Sequence, residues 1–230
     1  APSVLLPEPG MPIRVMQGCL DSGEAPPPPE NGFFFACSID QHFFEIQWVA
    51  SMAEHALNII EDHVWQGAKL RTDFFSVNSQ TVLEVARTIS ISLVHGGKVL
   101  FCGNGGSAAD AQHLAAEFVG RFQMERPPLP AISLTTDTSI LTAIGNDDSF
   151  DQVFTKQVKA LGSEGDVLVS ISTSGRSQNV LQAMECAKDK GLITVGLSGK
   201  NGGHMREFSD FLLLVENDNT ALIQEVHISV

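Results

Sequence analysis

Hydroxyl side chains and glycines gather at two places in the chain, Cys102-Gly103-Asn104-Gly105-Gly106-Ser107 and Ser172-Thr173-Ser174-Gly175-Arg176-Ser177. In the second, four hydroxyls surround Gly175, and Val180, Leu181, Met184 and Ala187 follow at helical spacing. The amides of a first helical turn lack intrahelical partners, the helix dipole is positive there, and the hydroxyls donate. That chemistry suits a phosphate. The run has neither the Gly-Lys-Ser/Thr of a P-loop nor the spacing of a dinucleotide fingerprint. A lone Ser/Thr run more often only caps a helix or turns a loop. Here an apolar strand before it, a helix after it and the glycine junction upstream favour binding.

His113 and Glu117 stand four residues apart after the first junction, so an imidazole and a carboxylate leave one helix face a turn apart. They could share a metal. An isolated pair of this kind is usually a solvated helix face, but this helix begins at the Gly105-Gly106-Ser107 turn, which places it at the ligand edge. Near the end of the chain, Gln224, Glu225 and His227 sit in the opening turns of a last helix, with Gln224 and His227 able to face one way.

These residues need a sheet to carry them. Apolar runs at 98–102, 131–134, 167–171, 193–197 and 211–215 read as five strands, separated by helical stretches near 108–122, 150–161, 179–190 and 203–207, with a last helix opening near Thr220. Strands alternating with helices predict an α/β fold, a parallel sheet covered on both faces as a three-layer αβα sandwich. Ligands of such sheets bind at the carboxyl edge, where both junctions lie. Two helices are expected ahead of the first strand, over 41–67 and 79–95, the second stopped by Gly96 and Gly97, suggesting an interaction hairpin. Residues 1–40 carry Pro2, Pro7, Pro9, Pro12 and the run Pro26 to Pro29, and read as a weakly ordered leader before a domain over 41–230. Phe33, Phe34 and Phe35 are apolar enough to dock on the domain or on a second subunit.

A chain of 230 residues, 43% hydrophobic, can bury one substantial core. Its net charge of −13 argues against a nucleic-acid surface, which needs clustered Lys and Arg. Cys19, Cys37, Cys102 and Cys186 form no CxxC pair, so neither a structural zinc site nor a disulfide framework is indicated, and a reducing cytoplasm is the expected location. Neither a membrane span nor a secretory signal is evident, and no membrane partner is expected.

From about Gly96 to His227 the chain resembles the sugar isomerase (SIS) fold, and within it the phosphoheptose isomerases. The stretches that carry the resemblance are CGNGGSAADAQHLAAEFVGRF, ERPPLPAISLTTDTSILTAIGNDDSFDQVF, GDVLVSISTSGRSQNVL and NTALIQEVHI. The resemblance implies interconversion of sedoheptulose 7-phosphate and D-glycero-D-manno-heptose 7-phosphate through an enediol or enediolate, the first step of activated heptose biosynthesis for lipopolysaccharide. It implies that Asn104, Gly105, Gly106, Asn146 and Asp147 contact substrate, Asn146 and Asp147 from a loop before the Phe150 helix. Ser172, Thr173, Ser174 and Ser177 match the phosphate cradle, and Glu117 the catalytic carboxylate. His113, Glu117 and Gln224 match three of four zinc ligands, and a homotetramer with sites at subunit boundaries is implied.

Three positions depart from the family pattern. Its fourth ligand and second catalytic group, a histidine, falls beyond Val230, which makes a truncated terminal helix the expectation, with His227 a poorer substitute for the acid. Leu222 replaces a usual arginine and Arg176 a usual asparagine. Two non-enzymatic readings compete. One is an SIS scaffold like the replication-initiator-associating relatives, which has no need of Glu117 opposite His113. The other is a sugar-phosphate sensor, ranked lower because no DNA-binding module accompanies the domain.

Overall fold

A computed structural model describes residues 38–230, with side chains from Ser51 onward. The leader expected at 1–40, including Phe33, Phe34 and Phe35, lies outside the described residues as far as residue 37; from Ser38 the chain is helical. The chain divides into two compact units, Ala1–Asp62 and His63–Val230, and the fold below is that of the second.

The helical hairpin expected before the sheet is not formed: α1 (Ser38–Val94) is a single helix. Residues 68–78 contain no proline and carry Ala68, Lys69, Leu70 and Arg71, good helix formers, so nothing local stops the helix. Gly67, the last residue of the first expected helix, is a point of close approach. A Cβ there would lie 2.8 Å from Glu225 Oε2 and 3.6 Å from Leu222 Cδ2 of the last helix.

Five strands follow: β1 (Val99–Gly103), β2 (Ala131–Ser133), β3 (Val167–Ser172), β4 (Ile193–Gly199) and β5 (Phe211–Val215). All pairings are parallel and the order is β2-β1-β3-β4-β5. Side chains alternate between two apolar layers, as strand geometry requires. Val99, Phe101, Val167, Val169, Ile171, Val195 and Leu197 face one layer with Phe74 and Val85 of α1, Ala111 and Ala115 of α2 (Gly106–Val119), and Ile223 and Val226 of α7 (Thr220–His227). Leu100, Cys102 and Leu168 face the other. That layer holds Val158 of α4 (Thr155–Leu161), Val180, Met184 and Ala187 of α5 (Gln178–Asp189), and Met205 of α6 (Met205–Phe208). The three-layer αβα architecture is therefore built, at about 1.5–3 kcal/mol for each large side chain fully buried.

One helix is not legible in the pattern. α3 (Thr138–Asp147) follows β2, capped by Asp137, whose carboxylate accepts from Ile140 N–H at 2.9 Å. Its β-branched residues and Gly145 depress local propensity, but Leu141 and Ile144 pack on the second layer. Asn146 and Asp147 are consequently in the last turn of a helix, not in a loop. The helix expected over 150–161 opens instead as a 3-10 turn, Phe150–Gln152, before α4.

Candidate active site

In a sheet of this order the connections leave β1 in opposite directions, toward β2 and, from β2, back toward β3. The switch point therefore lies between the carboxyl ends of β1 and β3, the place where ligands of open α/β sheets bind. Gly103 and Ile171 are paired there, and the two hydroxyl-rich junctions leave side by side.

The loop after β3 holds Ser172 Oγ 3.0 Å from Ser177 Oγ and 3.5 Å from Ser174 Oγ. Ser174 Oγ also accepts from Arg176 N–H at 3.2 Å. Thr173 lies half-buried between Ser172 and Ser174. Ser177 is the N-cap of α5, yet its hydroxyl makes no cap bond. It turns to Ser172 instead, so the hydroxyls stand beside the first turn of α5. Gly175 makes the loop possible. Its φ is 63°, and a Cβ would come within 2.1 Å of the Gly202 carbonyl oxygen, while its own carbonyl accepts from His204 N–H at 2.9 Å.

The loop after β1 is tied to this one by a pair of side chains. Asn104 Nδ2–H donates to Asn179 Oδ1 and Asn179 Nδ2–H donates to Asn104 Oδ1, both at 2.9 Å. Asn179 is buried in the first turns of α5. Sequence reasoning missed it. A polar residue among the apolar positions of an α5 that reads as amphipathic, just after the hydroxyl run, was the available signal. Gly105 is the N-cap of α2, and Gly106 its first residue, so both stand at the same edge.

Gln224 reaches this edge from α7. A Cβ on Gly106 would lie 2.5 Å from its Nε2, so the amide of Gln224 rests against the start of α2. α7 is fastened by Leu222, which is buried, and by Glu225, which accepts from His63 Nε2 at 2.7 Å. His227 is buried, its Nε2 bonded to the Ser198 carbonyl at 3.1 Å and its Nδ1 without a partner. Burial pushes its pKa down to about 4, the carbonyl contact opposing this in part. It is a packed, neutral imidazole, and a poor acid for a substrate.

His113 and Glu117 do converge, with His113 Nε2 3.2 Å from Glu117 Oε1. They lie farther down α2, about 10 Å and about 16 Å along its axis from Gly106 at 1.5 Å per residue. One turn before His113, Asp110 has a buried oxygen without a partner, and desolvation raises its pKa against the opposing pull of His113. Arg126 clamps the end of the helix: Nη2–H donates to the Glu117 carbonyl at 2.6 Å and Nη1–H to that of Phe118 at 2.8 Å. The side chains of Asn146 and Asp147 bond to each other, Nδ2–H of the first donating to Oδ1 of the second at 2.8 Å.

One chain therefore brings together Asn104, Gly105, Gly106, Ser172, Thr173, Ser174, Ser177 and Gln224, and separately pairs His113 with Glu117. As a zinc site the fit is partial. His113 and Glu117 supply two ligands at one point, while Gln224 rests at Gly106, two turns away. Among the described residues no group of three or more His, Cys, Asp or Glu side chains is placed to hold a metal. No helix among them is long and apolar enough to cross a membrane.

A five-stranded parallel sheet with a hydroxyl cradle after β3 and a glycine turn after β1 defines an SIS domain, and residues 65–199 match the family model of that description. The phosphoheptose isomerase of Nitratidesulfovibrio vulgaris Hildenborough is 60% identical over 179 residues, covering 78% of this chain and 86% of the relative. That of Burkholderia pseudomallei is 58% identical over 148 residues, covering 64% and 75%. Among solved structures, phosphoheptose isomerases from Neisseria gonorrhoeae and Francisella tularensis superpose with TM-scores of 0.72 and 0.73 at 44% and 40% identity, each covering 76% of this chain and 93% of theirs. The chain belongs to the phosphoheptose isomerase family.

Proposed function

We propose that the protein is an aldose–ketose isomerase interconverting sedoheptulose 7-phosphate and D-glycero-D-manno-heptose 7-phosphate. The observation that carries the reading is the meeting of two loops at the switch point, Asn104–Ser107 and Ser172–Ser177, joined by Asn104 and Asn179. Family membership gives that meeting its chemistry.

The phosphate of the ketose is held by the hydroxyls of Ser172, Thr173, Ser174 and Ser177 and by the amides opening α5. With the far end fixed, binding energy remote from the reacting carbons orients C1 and C2. Asn104, Gly105, Gly106 and Gln224 line the path of the sugar, and Asn146 and Asp147 are assigned further hydroxyl contacts. A carboxylate, Glu117, removes a proton from C1 of the ketose. Electrons of the broken C–H bond form the C1–C2 double bond of the enediol or enediolate, and the carbonyl at C2 becomes a hydroxyl or oxyanion. Return of the proton to C2, with loss of the O1 proton, leaves the carbonyl at C1. One carboxylate serves both transfers, within the range of about 10²–10⁴-fold that general acid–base catalysis supplies.

The separation of Glu117 from the cradle of its own chain supports the finer part of the proposal, a homotetramer in which a second copy completes each site. Exposed apolar side chains on α1, Val64 at 65% and Trp65 at 66%, are suited to contact between copies. Zinc enters the proposal only in that assembled form, with His113, Glu117 and Gln224 as its ligands; when bound it supplies a Lewis acid for the substrate carbonyl. No proton transfer above depends on it. A cytoplasmic location and a place in heptose assembly for lipopolysaccharide complete the reading.

The test is incubation of sedoheptulose 7-phosphate in deuterated buffer, with and without added zinc, followed by NMR. The expected result is aldose formation with deuterium entering at C1 or C2. Tight binding of the sugar phosphate with neither turnover nor exchange would sink the reading in favour of a binding scaffold.

A further inference from the structure

Beside the cradle, the carboxyl edge of the sheet opens into a cleft of about 550 Å3, within the size range of small-ligand sites. Ser174 and Arg176 from the loop after β3 form its near wall, and Lys200 from the loop after β4 stands next. Glu216, Asn217 and Asp218 from the loop after β5 make the far wall. Ser174 thus belongs to both cradle and cleft. Its hydroxyl is held by the Arg176 N–H, so the two residues are positioned as one unit.

Two observations bear on these cations. Neither Arg176 nor Lys200 enters an ion pair among the described residues, although two carboxylates line the same cleft. In a chain with 14 basic and 27 acidic residues, two cations that make no ion pair with the carboxylates of their own cleft stand together at one ligand edge. Lys200 also has a φ of 56°, one of two non-glycine residues described with a positive value, and its N–H donates to the Asn217 carbonyl at 3.1 Å. A residue with a Cβ disfavours that conformation, and backbone strain of this kind clusters where side chains must be presented to ligands.

We infer that Arg176 and Lys200 form a cationic flank of the phosphate cradle, binding the phosphate of a sugar phosphate jointly with Ser174 and setting the chain's preference for phosphorylated over unphosphorylated polyols. This rests on the reading of Ser172–Ser177 as the phosphate site. Hydroxyls and amides are neutral donors; a guanidinium and an ammonium add charge-assisted bonds, roughly twice as strong each. They also attract an anion at long range, in a protein whose net charge of −13 otherwise repels one. Glu216 and Asp218 keep the cleft from being a general anion trap. They repel a second anionic group and accept hydrogen bonds from hydroxyls, so the ligand that fits has one phosphate and a polyol body.

The experiment is calorimetric titration of the chain with inorganic phosphate, at low and near-physiological ionic strength, for the parent, Arg176→Asn, Lys200→Asn and the double variant. Asparagine tolerates the left-handed backbone, so position 200 loses its charge without losing its conformation. Each single change is expected to weaken phosphate binding about three- to tenfold at low salt, the double change more, with the differences narrowing as salt screens them. In steady-state isomerisation of sedoheptulose 7-phosphate the same ranking should appear in KM, with kcat held. A double variant that binds phosphate as tightly as the parent at low salt overturns the inference, as does a parent that binds no phosphate. A parent that binds phosphate and shows the graded loss, but never isomerises the sugar, leaves the flank standing and removes the proposed reaction.

Discussion

Asn104 and Asn179, 75 positions apart in the chain, exchange two hydrogen bonds and so lock the loop after β1 to the first turn of α5. Both amides are used twice, as donor and as acceptor, and Asn179 is only 3% exposed. Asn179→Ala leaves the Asn104 amide facing a void, and the cost of such an unmet group is about 1–3 kcal/mol. Urea denaturation should show that loss, together with a raised KM as the two loops separate. A double-mutant cycle with Asn104→Ala should return a coupling of about 0.5–3 kcal/mol, the range for residues in direct contact.

Gly106 and Gly175 both forbid a side chain, for different reasons, and alanine separates them. At Gly106 the obstacle is the end of the Gln224 side chain, 2.5 Å from the new Cβ, which can swing aside. Gly106→Ala should therefore keep its melting temperature within a few degrees and lose most of its activity, since Gln224 is displaced. At Gly175 the obstacle is backbone, the Gly202 carbonyl at 2.1 Å, and φ is 63°. Gly175→Ala should lose roughly 3 kcal/mol or more and all phosphate binding, read by thermal unfolding and calorimetry.

Glu117→Gln removes the base and keeps the shape. Its kcat should fall about 10²–10⁴-fold while sugar-phosphate affinity, which resides at the other end of α2, changes little. Retained turnover in this variant would take Glu117 out of the mechanism.

His227 predicts a pH dependence of stability. Its folded pKa is about 4 against 6.5 when unfolded, because burial disfavours the imidazolium. Between those values the unfolded chain holds a proton that the folded chain lacks, so unfolding becomes easier as pH falls from 6.5 toward 4. The contribution is complete above 6.5, and its loss on acidification is on the order of 3 kcal/mol. His227→Gln, which cannot titrate, should show a shallower fall in denaturation midpoint between pH 7 and 4.5, even if its stability at pH 7 is lower.

All five strands and most of the helices were legible because their signals are local: apolar runs such as 167–171, and faces such as Val180, Leu181 and Met184. The short β2 was legible for the same reason, though it ends one residue early. α3 was not, since its β-branched residues find their helical reward only in tertiary packing of Leu141 and Ile144. The helix expected to end at 67 runs on through Gly67, whose place is set by contact with Glu225.

The chain's order of residues was enough to determine that a hydroxyl-rich loop joins a buried strand to a helix, and that His113 and Glu117 share a helix face. Capping and periodicity act over a few residues and leave their mark there. Tertiary structure alone decided that the cradle stands beside the Asn104 turn, that the Gln224 amide rests against Gly106, and that His227 is buried. Those relationships depend on strand order and on which helix ends the sheet brings side by side, and no local pattern specifies either.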